Sequence, residues 1–293
     1  MPSAAVAEWE RAGSRRRLLG HDIFVLDRAA RNAESGPPVL VLHGYPTCSF
    51  DWRHVLGALC AHRRVVLLDF LGFGLSDKPD VPYSLFHQAD IVEALVAELG
   101  LTEIALVTHD MGDSVGGEVL ARQIDGDSAL RVAERIVTNG SIYIDDAQLT
   151  VGQQLLLELP DEPIDPEVGP TEEMFCSGLA STFSPDFPPD AEELGAQWEL
   201  VSRGDGHRLL ARIIRYIPER RTHEHRWTGA IEHHDSPLRI VWGDADPVAV
   251  YDMAQRLSAA VPTAELVTLE GVGHYPMIET PGRFADAVVA GLR

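Results

Sequence analysis

Short uninterrupted apolar runs alternate along this chain with longer stretches in which apolar residues return every three or four positions. Residues 38–42, 64–68 and 104–108 are rich in Val, Leu and Ile and read as buried strands, whereas 85–99 and 116–122 carry helical spacing. Strands that are apolar throughout, separated by helices, predict a parallel sheet covered on both faces. The alternation resumes near the C-terminus with a strand at 238–242, a helix at about 250–260, a strand at 265–269 and a last helix through 284–292. The sheet is therefore predicted to be built from both ends of the chain.

Between the two halves the pattern changes to proline-rich loops (Pro160, Pro163, Pro166, Pro170, Pro185, Pro188, Pro189) and helical pieces without a strand signal. This predicts an inserted helical cap at 145–228 on a core formed by 1–144 and 229–293. Leu209, Ile213, Tyr216 and Ile217 share one face if the cap is helical there, which turns Tyr216 towards something apolar, either core or cavity.

With 293 residues, 45% of them apolar, the chain can bury a sizeable core. Charge narrows the partners. Lys and Arg number 24 against 45 Asp and Glu, a net charge of −21 that opposes binding to nucleic acid or anionic lipid. The one basic cluster, Arg15 to Arg17, reads as the solvated start of an edge strand. Neither a signal-peptide core nor a membrane-spanning run is seen, and Cys48, Cys60 and Cys176 lack metal-ligand spacing, so a cytoplasmic protein with reduced thiols is predicted.

The sharpest chemical signal is Thr108-His-Asp-Met-Gly112, where an apolar strand runs into a small-x-Asp-x-Gly turn before a helix. Such a strained turn exposes its central side chain, making Asp110 a candidate nucleophile and the N–H of Met111 a candidate oxyanion donor. Asp110 as a helix N-cap is the ordinary alternative. Gly112-Asp-Ser-Val-Gly116 also matches the serine-nucleophile motif, but Ser114 falls one helical turn after Asp110, where no sharp turn presents it. His43-Gly-Tyr-Pro46 closes an earlier strand and can aim the N–H of Tyr45 at the same oxyanion. Taken alone it is equally an ordinary turn. The glycine-rich loop 69–77 lacks a phosphate-binding ending and reads as scaffold. Asp246 in Gly243-Asp-Ala-Asp-Pro247 and His274 in Gly271-Val-Gly-His-Tyr275 complete the order nucleophile, acid, histidine. Asp246 is preferred over Asp244 because it precedes Pro247.

Gly44-Tyr-Pro-Thr-Cys-Ser-Phe-Asp-Trp52, Leu68-Asp-Phe-Leu-Gly-Phe-Gly74, Ser76-Asp-Lys-Pro79, His109-Asp-Met-Gly-Asp113 and Ile213-Ile-Arg-Tyr-Ile-Pro-Glu-Arg220 together resemble the epoxide hydrolase and haloalkane dehalogenase branch of the α/β-hydrolase superfamily, above all the mesoderm-specific transcript group and related bacterial hydrolases. The resemblance implies an α/β-hydrolase fold with a mostly parallel eight-stranded sheet, a covalent ester on Asp110, hydrolysis by water activated by His274, and no cofactor or metal. It also implies that cap tyrosines donate to an epoxide oxygen. Tyr216 fits that role best, with Tyr143 as a second donor and Trp198 as a further substrate contact; packing of the cap onto the sheet is the alternative for both tyrosines. Phe175, Phe183, Phe187 and Trp198 suggest a small apolar or aromatic substrate.

The chain departs from the dehalogenase pattern, carrying Met111 where a tryptophan usually follows the nucleophile and Tyr45 where many carry asparagine. A halide would then need other donors, such as Trp198 or Trp227. Met111 and Ser114 also stand where a fluoroacetate-type enzyme would be expected to carry arginines. Dehalogenation, a serine esterase using Ser114 and a non-catalytic binding protein on this fold remain the alternatives to epoxide opening.

Overall fold

The computed structural model describes residues 3–32, 36–61 and 63–292. Met1, Pro2 and Arg293, at the ends of the expected core, lie outside them.

Eight strands form one sheet: β1 (Ser14–Leu18), β2 (His21–Arg28), β3 (Val39–Leu42), β4 (Val65–Leu68), β5 (Glu103–His109), β6 (Arg131–Thr138), β7 (Leu238–Gly243) and β8 (Glu265–Leu269). Their spatial order is β1-β2-β4-β3-β5-β6-β7-β8. The β1–β2 and β2–β4 pairings are antiparallel and the others parallel. β3 and β4 are buried at every position, as expected of central strands whose faces are both covered. Each fully buried valine or leucine contributes about 1.5–3 kcal/mol. At the edge, β1 has the sequence Ser-Arg-Arg-Arg-Leu, and its charges protect its unpaired outer side from adding another chain. The five strands read from periodicity are present; the β1–β2 hairpin and β6 complete the sheet.

The principal helices are α1 (Ala4–Ala12), α2 (Leu85–Glu98), α3 (Met111–Asp125), α4 (Val151–Glu158), α5 (Glu172–Ala180), α6 (Ala191–Ser202), α7 (Tyr216–His233), α8 (Tyr251–Ala260) and α9 (Pro281–Gly291). The segment between β6 and α7 is helical with no strand, and α4, α5 and α6 lie in it. α7 packs along α3 in the layer that covers the sheet, so the boundary expected at 228 falls inside a core-packed helix. A second expectation is corrected nearby. Leu209 to Ile217 is not one helix: a 3-10 segment (Arg203–Leu209) and a short helix (Leu210–Ile213) precede α7. Leu209, Ile213, Tyr216 and Ile217 are nevertheless all buried, because successive short helices turn them inward. No helix among the described residues is long and apolar enough to cross a membrane.

Candidate active site

β5 delivers Asp110 at its C-terminal end, and α3 begins at the next residue. Between them Asp110 holds φ 49°, ψ −114°, a conformation unusual for a residue with a side chain. Such strain costs of order 1–3 kcal/mol and persists because the surroundings impose it. Packing at the turn is close: a Cβ on Gly44 would lie 2.7 Å from the Asp110 Cβ, and one on Gly112 would lie 2.5 Å from the Leu42 carbonyl oxygen. The Asp110 side chain makes no capping bond to α3. Its Oδ2 instead accepts the Tyr45 N–H at 2.8 Å.

The loop carrying Tyr45 is held by a buried histidine. Phe70 N–H donates to His43 Nε2 at 2.9 Å, which leaves Nδ1 as the protonated nitrogen, and this donates to the Gly44 carbonyl at 2.8 Å. Burial lowers the His43 pKa, consistent with a neutral ring. The glycine-rich loop after β4 thereby supports the first candidate oxyanion donor. Met111 supplies the second candidate, since N–H groups in the first turn of a helix have no intrahelical acceptor.

His274 follows β8, and its Nδ1 lies 2.8 Å from Asp246 Oδ2. Asp244, the alternative acid, is exposed and accepts the Gly271 N–H instead. Asp246 is fully engaged: Oδ1 accepts the N–H groups of Val248 and Ala249, and Oδ2 also accepts Asn139 Nδ2 at 2.8 Å. In the neutral ring, a carboxylate facing Nδ1 holds the proton there and leaves Nε2 as the basic nitrogen. Burial would lower the His274 pKa, but the charge and hydrogen bond of Asp246, with the carboxylates of Asp110 and Glu279, raise it to about 9. Glu279 fixes the same loop by accepting the N–H groups of Gly273, Tyr275 and Ser184, while His274 N–H donates to the Thr182 carbonyl. Cap residues 182–184 are thus tied to the histidine loop. Asn139 and Glu279 were not singled out in the sequence. The Asn139-Gly140 pair after an apolar run is the signal that marks the first; Asn139 adopts φ 41° there.

Asp110, His274, Tyr45 and Tyr275 face a cavity of about 360 Å³ closed by the cap residues Gln153, Leu156, Leu159, Ile164, Phe175 and Leu179. Leu155, Val168 and Met174, each more than half exposed, continue the apolar wall to the surface. Tyr216 adjoins this wall without forming part of it. Its ring lies 5.3 Å from that of Tyr45, and its hydroxyl accepts Gln153 Nε2 at 3.5 Å. Burial and the Asp110 charge hold its pKa well above 10.

Three other candidates lie elsewhere. The Tyr143 hydroxyl donates to Glu232 at 2.7 Å beneath the Arg256 guanidinium, so it is not available to a substrate in the cavity. Trp198 packs on Phe175 and His207 and does not line the cavity. Ser114 is buried within α3, accepting Arg220 Nε at 2.7 Å.

Residues 39–287 match the Alpha/beta hydrolase family. LipZ of Mycobacterium tuberculosis is 38% identical over 99% of both chains. The mesoderm-specific transcript homolog protein of Homo sapiens is 33% identical over 97% of this chain and 87% of its own length. Among solved structures, haloalkane dehalogenase DbeA from Bradyrhizobium elkani superposes with a TM-score of 0.75 at 22% identity, covering 95% of this chain and 96% of that one. By the family match and the near full-length similarity to these relatives, the chain belongs to the Alpha/beta hydrolase family.

Proposed function

We propose that this hydrolase works through a covalent ester on Asp110 and that its substrate is an epoxide, opened to a diol. The observation that carries the reading is the Asp110 carboxylate itself. It sits at a strained turn, leaves its helix uncapped, and faces an apolar cavity with one oxygen 2.8 Å from the Tyr45 amide. A carboxylate so held can attack an sp³ carbon, and the Tyr45 and Met111 amides can then hold the oxyanion formed when water adds to the ester.

Two features favour an epoxide over a halide. No tryptophan lines the cavity, and the Trp227 N–H is bonded to Glu118, so neither indole raised as a halide donor serves one there. The Tyr216 hydroxyl lies beside the wall instead, next to the Tyr45 ring and the wall residue Gln153, and as a neutral phenol it has a proton to give a departing alkoxide. The test is intact-protein mass spectrometry of His274→Gln with separate panels of aryl and alkyl epoxides and of bromoalkanes. Ester mapped to the Asp110 peptide with the whole epoxide mass is expected. An alkyl adduct lacking bromine, in its place, would make the protein a dehalogenase.

A pH dependence follows from the same arrangement. In the resting enzyme the Asp110 charge helps to keep the His274 proton, whereas in the ester that charge is gone. The imidazole pKa must fall as the ester forms, so the base becomes available at the step that needs it. Titration of the free enzyme by NMR is expected to place His274 near 9. The acid limb of ester decay should lie below that midpoint, because the Asp110 charge no longer helps to hold the proton. Coincidence of the two midpoints would contradict this coupling.

A further inference from the structure

The cavity wall contains a side-chain amide whose orientation is fixed. Gln153 stands at the third position of α4, in a reciprocal capping box with Thr150. Thr150 Oγ1 accepts the Gln153 N–H at 3.2 Å, and Gln153 Oε1 accepts the Thr150 N–H at 2.9 Å. The carboxamide oxygen is therefore committed to a backbone donor, and the amino end is the one left to face inward. One N–H meets the Tyr216 oxygen at 3.5 Å, and the other has no acceptor among the described residues. Since the Tyr216 oxygen accepts from Gln153, its own proton is directed elsewhere. Tyr143, the other tyrosine considered as a donor, is held by Glu232.

We propose that Gln153 is a catalytic hydrogen-bond donor to the oxygen released when an epoxide opens, one N–H binding that oxygen while the other holds the Tyr216 phenol in the orientation that delivers its proton. The inference rests on the epoxide reading above. As the Asp110 oxygen forms its bond to the epoxide carbon, the ring C–O bond breaks and its electron pair stays on oxygen. That oxygen takes the Tyr216 proton, leaving a phenolate stabilised by the Gln153 N–H. In the second step water loses a proton to His274 as it adds to the ester carbonyl. Collapse expels the diol alkoxide, which takes the proton from His274, and the Asp110 carboxylic acid left behind returns its own to the phenolate. The balance is epoxide plus water giving diol.

The test is rapid-quench single turnover with styrene oxide, reading ester formation and ester decay separately in the native enzyme, Gln153→Leu and Gln153→Glu. Removing the donor is expected to slow ester formation by roughly 10- to 100-fold and to leave decay within about twofold. Gln153→Glu should be slow near about pH 8 and should gain rate as the pH is lowered towards the ordinary glutamate pKa of about 4.3, because a protonated carboxyl donates again and an ionised one cannot. A purely structural role would give no such recovery, since glutamate also fits a capping box. Ester formation at the native rate in Gln153→Leu, or no recovery in Gln153→Glu, overturns the role of Gln153 alone. Failure of the native enzyme to form any ester with epoxides overturns the epoxide reading and this inference with it.

Discussion

Asp110→Gly is expected to lose turnover by four orders of magnitude or more, yet to melt at the same temperature as the native protein or slightly above it. The loss follows from removing the proposed nucleophile, since changes to a residue that forms the covalent bond have effects on the scale of about 10⁴ to 10⁶. The stability effect has a separate origin. Asp110 occupies φ 49°, which glycine adopts without strain, and its carboxylate gives α3 no cap whose removal would weaken the helix, so the strain relieved offsets the loss of the acceptor for the Tyr45 N–H. A residue retained for structure would not hold an unfavourable backbone angle while contributing no cap; strain of this kind is characteristic of functional positions. Ser114→Ala provides the contrast. It removes the partner of the buried Arg220 Nε, which costs about 1–3 kcal/mol of stability, and leaves turnover near the native value. Assays of both variants on an aryl epoxide, with thermal melts, distinguish the nucleophiles. Activity kept in Asp110→Gly and lost in Ser114→Ala would move the chemistry to the serine and remove the proposed mechanism.

The strained turn at Asp110 is readable in the sequence because the constraint there is local. An apolar strand, the residue it presents to the cavity and the small neighbours of the turn all fall within the nine positions 104–112, and Gly112 is required by the approach of the Leu42 carbonyl. The central strands are readable for a similar reason, since burial on both faces forces every position to be apolar. What could not be read depends on partners far away in the chain. Tyr143 follows β6 in a position that suits a site residue as well as a packed one, and its direction is decided by Glu232, 89 residues later. Helical periodicity turned Tyr216 inward correctly without revealing that the helix breaks before it, because two short helices can bury the same residues as one long one. Gln153 did leave a local trace, the Thr-x-x-Gln pattern of a capping box, but that pattern has a complete structural explanation until the cavity is seen beside it.

Asp246→Asn should separate the two chemical steps more cleanly than any change at the nucleophile. The native Asp246 receives four donors: His274 Nδ1 and Asn139 Nδ2 on one oxygen, and the Val248 and Ala249 amides on the other. An asparagine has only one oxygen with which to accept them. If that oxygen keeps the two backbone amides, its amino group faces both Asn139 and His274, and His274 satisfies it by accepting at Nδ1. The ring proton then moves to Nε2, and the nitrogen that must deprotonate water is no longer a base. The reverse orientation drives the amino group against two backbone donors in a buried site, where an unmet donor costs about 1–3 kcal/mol. Tautomer exchange is therefore favoured, and its precedent in serine proteases is a loss of roughly 10⁴ in turnover. Ester formation needs no base from His274 and should proceed, so Asp246→Asn should accumulate the Asp110 ester with its histidine intact. The check is a burst of about one equivalent of product ester, seen by mass spectrometry, followed by decay some thousands of times slower than native. If ester formation and decay fell together, Asp246 would be holding the site as a whole rather than setting the tautomer of the base.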